Sequence, residues 1–177
     1  TAASLAEDAD DAVAAHDGSP RFITILGSTG SIGKSTIDLL TRNPDAYSVQ
    51  ALTAQNNVDL LAEQAKNLGA RRAVIGNEAR YQDLKDALSG SPVEAAAGER
   101  AIVEAAEVPS DFVMAGIVGA AGLHPTMAAV RRGAIVGLAN KECLVCAGGL
   151  MTAEVAHAGA IILPVDSEHN AIYQVFD

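Results

Sequence analysis

The stretch that decides the fold is Phe22-Ile23-Thr24-Ile25-Leu26-Gly27-Ser28-Thr29-Gly30-Ser31-Ile32-Gly33. Its apolar run Phe22–Leu26 predicts a buried strand, and the apolar spacing from Ser31 to Leu40 predicts a helix directly after a glycine turn. At such a turn, backbone N–H groups and the positive end of the helix dipole face one spot, and glycines let a pyrophosphate approach the backbone. The G-x-x-G-x-x-G spacing therefore indicates either a dinucleotide site or a turn that only packs strand on helix.

The end of the second predicted strand bears on which dinucleotide would bind. NAD-binding units place an Asp or Glu there, where its carboxylate binds the ribose 2′-hydroxyl. This chain instead has the neutral residues Gln55, Asn56 and Asn57. Because no carboxylate would repel a 2′-phosphate, the loop favours NADP over NAD, although it also has no Arg or Lys to pair with that phosphate.

Short β-branched runs alternate with helical patterns along the rest of the chain. The predicted strands are 22–26, 47–53, 72–75, 112–114, 134–138 and 160–163, with a weaker one at 93–96. The predicted helices are 32–40, 58–68, 81–88, 99–106, 125–132 and 142–158. This alternation predicts an α/β fold, a doubly wound parallel sheet of the Rossmann type with helices on both faces.

Composition and charge narrow the class of partner. The 177 residues are 49% hydrophobic but only 3% aromatic, so the core must be aliphatic, and one domain with at most part of a second is expected. The net charge of −10 argues against nucleic acid or an anionic membrane as a partner, because both require basic surface. No apolar run approaches the ~20 residues of a membrane span.

Residues 1–20 are rich in Ala and Asp without apolar periodicity, which predicts a disordered acidic extension before a domain at 21–164. They match neither a secretory signal nor an Arg-rich transit peptide, so a cytoplasmic location is expected. Cys143 and Cys146 form C-x-x-C in an apolar helical stretch with no second pair for zinc. We interpret them as buried small side chains rather than as a redox or metal site.

The ends of the later strands carry further candidates. The loop Gly116–Gly122 indicates either a second close approach to a ligand or tight packing of small residues. Lys141 follows a strand on the same rim, where it suits a substrate oxygen or phosphate, or is an ordinary surface lysine. Asp166 and Glu168 face the same side of an extended segment and suit Mg2+ or Mn2+, or are solvated carboxylates at a helix start. We interpret His169 as structural.

Three motifs taken together carry a family resemblance: Gly27–Gly33 (GSTGSIG), Leu138–Glu142 (LANKE) and Pro164–Ile172 (PVDSEHNAI). In order and spacing they closely resemble the 1-deoxy-D-xylulose 5-phosphate reductoisomerase family, from about Arg21 onward. The resemblance implies an enzyme of non-mevalonate isoprenoid biosynthesis that rearranges this phosphosugar and reduces the resulting aldehyde with NADPH. It also implies a divalent metal, Mg2+ or Mn2+, and a homodimer of the full-length enzyme.

The resemblance implies a role for each matching residue. Cofactor binding is expected from Thr29, Gly30, Ser31 and Ile32 at the pyrophosphate, from Gln55, Asn56 and Asn57 near the 2′-phosphate, and from Asn140 and Glu142. Substrate binding is expected from Lys141, Ser167 and Glu168, metal binding from Asp166 and Glu168, and catalytic roles from Lys141 and Glu168. Asn56 departs from the family, since many members have Lys there.

The resemblance implies that the third metal carboxylate, the lid, the groups that hold the substrate phosphate and the C-terminal helical domain lie beyond Asp177. Residues 165–177 are therefore expected to begin a catalytic domain that this chain lacks, and the chain alone is expected to be inactive. Two alternatives stay open at this point. One is a stand-alone NADP-binding or regulatory module. The other is a semialdehyde dehydrogenase, whose catalytic cysteine motif Cys143 and Cys146 do not supply.

Overall fold

The computed structural model of the protein describes residues 19–165, without the side chains of residues 141, 142 and 144–146. Strands alternate with helices throughout this range. The strands are β1 (Arg21–Leu26), β2 (Tyr47–Ala54), β3 (Arg72–Ile75), β4 (Glu94–Ala97), β5 (Phe112–Ala115), β6 (Ile135–Leu138) and β7 (Ile161–Pro164). The helices are α1 (Ser31–Arg42), α2 (Val58–Asn67), α3 (Tyr81–Ala87), α4 (Glu99–Glu107), α5 (Leu123–Arg131) and α6 (Lys141–Ala158), with short 3-10 turns at Pro44–Ala46, Glu78–Arg80 and Ala120–Gly122.

The seven strands form one parallel sheet in the order β4-β3-β2-β1-β5-β6-β7. The chain first proceeds outward from β1 to β4 and then crosses back to β5 on the other side of β1. The order therefore reverses between β1 and β5, which is where doubly wound sheets bind ligands. The prediction of a doubly wound parallel sheet is confirmed, and the weaker strand prediction at 93–96 corresponds to the edge strand β4.

Aliphatic side chains cover both faces of the sheet. On one face, α1, α2 and α3 pack buried residues such as Leu61 and Leu84 against strand residues that include Ile25. On the other face, α5 and α6 pack Val130 and Met151 against β1, β5 and β6, and α4 packs against β2 and β3. The core therefore forms two layers, as the aliphatic composition predicts.

Several element boundaries differ from the predictions by one or two residues, and two of the differences have a clear physical reason. α5 begins at Leu123 rather than at Pro125, because a proline fits within the first helical turn, where its missing N–H has no partner to lose. Ala134 does not join β6, because its N–H donates to the Ala129 carbonyl (3.3 Å) and so closes the end of α5.

Polar contacts at the amino-terminal edge of the sheet hold β1 beside β5. The hydroxyls of Thr24 and Ser110 lie 2.7 Å apart in the interior, and the Phe22 N–H donates to the Asp111 carboxylate at 2.7 Å. Arg132 donates through its terminal nitrogen to the Ser110 carbonyl at 2.9 Å. Burial lowers the pKa of Arg132, and the Asp111 carboxylate opposes this effect. These contacts fix the pair of strands between which the order reverses.

At the opposite edge, α1 packs directly on the turn that precedes it. A Cβ on Gly33 would lie 2.2 Å from the Gly27 carbonyl oxygen and 2.5 Å from the Ser28 Cα. Real Cβ atoms essentially never come this close to backbone atoms. Only glycine at position 33 therefore allows α1 to start where it does.

We predict that Gly33→Ala lowers the free energy of unfolding by about 3 kcal/mol, because backbone atoms cannot move aside to admit the methyl group. The matched control is Gly149→Ala in α6, where nothing lies within 4 Å of the added Cβ. The control should change stability by less than about 1 kcal/mol, in the stabilising direction. Urea unfolding of both variants measures the difference, and equal midpoints would contradict the packing described.

Candidate cofactor site

A cavity of about 820 Å3 opens at the carboxyl ends of the strands, next to the β1–β5 crossover. Its walls come from the β1–α1 turn, the end of β2, the start of α4, the loop after β5 and the start of α5. The volume lies within the range of small-molecule and cofactor pockets. It is therefore the site that the topology predicts for a ligand.

The floor of the cavity consists of backbone. Gly27 has φ +85°, and a Cβ there would lie 3.0 Å from the carbonyl carbon and oxygen of Gly116. The Gly116 N–H in turn donates to the Leu26 carbonyl at 2.9 Å. The two turns therefore touch through backbone, and Gly27 and Gly116 themselves place no side chain between a ligand and the main chain.

Buried polar groups hold the β1–α1 turn in place. The Thr53 hydroxyl accepts from the Gly27 N–H (2.9 Å), and the Thr53 carbonyl accepts from the Ser28 N–H (2.8 Å). The Gln64 side-chain amide donates to the Ser28 carbonyl at 3.1 Å. Thr53, Ser28 and Gln64 are each at least 95% buried. The turn is therefore held by β2 and α2 before any ligand arrives, which reduces the ordering needed for binding.

The N-terminus of α1 faces the cavity without a side-chain cap. Its N-cap residue is Gly30, no side chain within residues 19–165 caps it, and its first turn carries no acidic residue. The first turn of a helix presents backbone N–H groups without intrahelical partners and a partial positive charge. Thr29, Gly30, Ser31 and Ile32, predicted for the pyrophosphate, all line the cavity.

The three amide residues predicted near the 2′-phosphate differ in position. Gln55 lines the cavity. Asn56 accepts a hydrogen bond on its side-chain oxygen from the Asn77 amide (2.9 Å), and Asn57 caps α2 by accepting from the Leu60 N–H (3.2 Å). Both asparagine side chains therefore already shape the loop, and their nitrogens rather than their oxygens are the groups suited to a phosphate.

Asn140 lies behind the cavity wall rather than in it. Its side chain is 1% exposed, and its Nδ2 donates to the carbonyls of Ile117 (2.7 Å) and Gly119 (2.8 Å). These bonds tie the end of β6 to the Gly116–Gly122 loop, most of whose residues line the cavity. The Gly116–Gly122 loop thus lies at the site, as predicted. Asn140 contributes to the site by holding this loop in place. Its neighbour Ala139 lines the cavity directly.

The remaining predicted residues lie where their side chains are not described. Lys141 and Glu142 form the start of α6, at the carboxyl end of β6. Asp166, Ser167 and Glu168 lie outside the described residues and follow β7 in the sequence. Within residues 19–165, no three His, Cys, Asp or Glu side chains are arranged to hold a metal ion. Of the two cysteines, Cys143 is buried in the core, in line with the prediction for it.

Two parts of the wall were not predicted from the sequence. Glu99, Arg100, Ile102 and Val103 of α4 line the cavity, and so does His124 with its neighbour in α5. The helix starting at Glu99 was predicted, but its place over the ends of β2 and β3 depends on the strand order. Strand order is a property of the whole fold and cannot be predicted from a short segment. The one signal in the sequence was that α4 begins directly after a strand end.

No helix of the part that the structure describes is long and apolar enough to cross a membrane.

Comparison with known proteins places the chain in a family. Residues 23–148 match the family model described as 1-deoxy-D-xylulose 5-phosphate reductoisomerase. The chain is 60% identical over 157 residues to the enzyme of this description from Rhodospirillum centenum, covering 89% of the chain and 39% of that protein. It is 59% identical over 157 residues to the one from Zymomonas mobilis, covering 89% of the chain and 40% of that protein.

Solved structures agree with this match. The Zymomonas mobilis reductoisomerase in complex with NADPH aligns with a TM-score of 0.86 at 59% identity, over 88% of this chain and 41% of that one. A reductoisomerase in complex with NADPH, fosmidomycin and magnesium aligns with a TM-score of 0.83 at 40% identity, over 87% of this chain and 38% of that one. The chain spans about two fifths of the length of these relatives. It belongs to the 1-deoxy-D-xylulose 5-phosphate reductoisomerase family.

Proposed function

We propose that this chain binds NADPH in the cavity at the β1–β5 crossover. The observation that carries the proposal is the backbone floor formed by Gly27 and Gly116 beside the uncapped N-terminus of α1. These groups fit a pyrophosphate, because N–H donors and the helix dipole favour an anion and the glycines add no side chain of their own. The NADPH complexes of two similar reductoisomerases support the same ligand.

Within this proposal the chain's own residues bind and orient the nucleotide. Thr29, Gly30, Ser31 and Ile32 hold the pyrophosphate, and the Gln55–Asn57 loop receives the adenosine ribose and its 2′-phosphate. Asn140 keeps the glycine loop against the site, and Glu142 borders the cofactor. When bound, NADPH supplies the hydride for reduction of a carbonyl group.

We further propose that the protein acts as a metal-dependent 1-deoxy-D-xylulose 5-phosphate reductoisomerase, forming 2-C-methyl-D-erythritol 4-phosphate in isoprenoid biosynthesis. Lys141, Ser167 and Glu168 bind the phosphosugar, with Lys141 and Glu168 acting in catalysis, and Asp166 with Glu168 binds Mg2+ or Mn2+. When bound, the cation serves as a Lewis acid and template for the substrate oxygens. Magnesium in two similar reductoisomerases supports the metal.

The domain boundaries belong to the same proposal: an N-terminal extension at 1–20, an NADPH-binding domain at 21–164 and the start of a catalytic domain at 165–177. The homodimer of the full-length enzyme and the cytoplasmic location stay predictions. So does the expectation, from the net charge of −10, that nucleic acid and membranes are not partners.

We predict that the 177-residue chain binds NADPH more tightly than NADH. The reason is that the loop after β2 carries no carboxylate to repel the 2′-phosphate. Titration of both nucleotides, followed by nicotinamide fluorescence and by calorimetry, measures the preference. Tighter binding of NADH would overturn the assignment of NADPH, and failure of both to bind would overturn the cofactor site itself.

We predict that, in an enzyme extending over the full length of its relatives, Asp166→Asn and Glu168→Gln each lower turnover by at least about 100-fold, because loss of a metal ligand removes Lewis-acid stabilisation. NADPH affinity should stay within about twofold, because metal and cofactor contact separate groups. Steady-state rates with Mn2+ beside an NADPH titration separate the two effects. Retained turnover in both variants would remove these carboxylates from the metal site.

A further inference from the structure

We propose that Arg100, in the first turn of α4, recognises the 2′-phosphate of NADPH and sets the preference for NADPH over NADH. The inference rests on the proposed binding of NADPH in the cavity. The loop expected to receive the 2′-phosphate, Gln55–Asn57, contains no cation. A doubly charged phosphate is held most strongly by charge-assisted hydrogen bonds, which a guanidinium supplies in a bidentate arrangement.

Arg100 is the one Lys or Arg among the described residues that line the cavity. It shares this wall with Gln55, from the end of β2, and with Ile102 and Val103 of its own helix. α4 reaches the site because it crosses from β4 to β5 over the intervening strands, packing Ile102 and Ala105 with Ala51 of β2 and Val74 of β3. Its first turn therefore projects beyond the strand ends, beside the loop after β2.

The loops after β2 and β3 form a continuous rim. The Asn77 N–H donates to the Gln55 carbonyl (3.0 Å), and the Asn77 side-chain amide donates to Asn56 (2.9 Å). The Gln55 amide group lies over Gly76, in the space that a Cβ there would occupy.

The same rim continues to Arg100. The Gly98 N–H, at the N-cap of α4, donates to the Ile75 carbonyl at the end of β3 (2.9 Å), and the Glu78 carboxylate lies over Gly98. Arg100 follows Gly98 by two residues. The first turn of α4, which carries Arg100, and the loop after β2 thus lie along one connected edge of the cavity.

The Arg100 side chain forms one ion pair and stays accessible to a ligand. It is 93% exposed, and its Nε lies 2.9 Å from Glu104, four residues along the same helix. Exposed ion pairs of this spacing are weak, so a phosphate can displace or share this one. Because the pair engages Nε, the two terminal nitrogens are the donors that a phosphate would use. Glu99 also lines the cavity, and its carboxylate would repel a phosphate there, an effect that the Arg100 cation would offset.

Arg80 is the competing cation on the rim. The backbone N–H of Arg80 donates to the Asn77 carbonyl (2.9 Å), which places Arg80 near the same loops. Its Nε forms an ion pair with Asp83 at 2.7 Å, in a geometry that is not a hydrogen bond. Arg80 does not line the cavity, whereas Arg100 does. The structure therefore favours Arg100, and the comparison of both arginines forms part of the test.

The test measures binding of NADPH and of NADH to Arg100→Gln, Arg100→Lys and Arg80→Gln in the 177-residue chain, by fluorescence titration and calorimetry. The matched control is Arg42→Gln, which removes another exposed arginine paired with an aspartate four residues before it, at the far end of α1. Arg100→Gln should weaken NADPH about tenfold and leave NADH within twofold. Arg100→Lys should keep part of the preference, and Arg80→Gln and Arg42→Gln should keep all of it.

Added salt supplies a second readout. Raising KCl should reduce the preference of the wild-type chain for NADPH, because an exposed ion pair is screened, and should have little effect on Arg100→Gln. Equal weakening of both nucleotides in Arg100→Gln would show contact with a shared part of the nucleotide and overturn the inference while leaving the proposed function intact. Loss of the preference in Arg80→Gln alone would assign it to the other arginine. Failure of the wild-type chain to bind either nucleotide would overturn the proposed function and the inference with it.

Discussion

The contact between Gly33 and the Gly27 carbonyl is the constraint on which the rest of the site depends. Because a Cβ at position 33 would overlap this carbonyl, the absence of a side chain lets α1 begin directly on the β1 turn. The same turn touches Gly116 on its other side, through backbone alone. The turn after β1 and the turn after β5, each of which leads into a helix, thus meet at Gly27 and Gly116, where neither residue has a side chain. The position of the cavity follows from this meeting of backbones.

Close backbone packing requires support from buried polar groups. Thr53 accepts from the Gly27 N–H through its hydroxyl and from the Ser28 N–H through its carbonyl, and Gln64 of α2 donates to the Ser28 carbonyl. On the other wall, Asn140 holds the two carbonyls of the glycine loop. Each of these side chains bonds main-chain groups of the two turns and so holds the turns in place. The site is therefore built into the core of the fold, and its shape is established when the sheet forms.

Local patterns in the sequence were enough to predict the strands, the helices and the parallel sheet, because apolar periodicity and glycine turns are properties of short segments. Contacts between distant segments were not predictable in this way. One example is the bulge in β2. Ile23 pairs with Val49 and Thr24 with Ala51, so Gln50 is an extra residue, and its place depends on the register of the two strands. The presence of Arg100 in the cavity wall depends on strand order. Asn140 was predicted to border the cofactor, and its buried bonds to the loop became visible only in three dimensions.

A protein of net charge −10 attracts an anionic ligand only through local fields. Here the field at the floor comes from peptide dipoles of α1 and of the glycine turns, with no acidic residue in the first helical turn to oppose it. Such a field acts equally on every dinucleotide, since all carry the same pyrophosphate. It therefore supplies affinity without discrimination. A choice between nucleotides that differ by one ribose phosphate has to come from groups at the rim, where the amides of the β2 loop and the guanidinium of α4 stand. Under the two proposals above, affinity and specificity are separated in space, because the first is assigned to backbone at the crossover and the second to side chains at the rim.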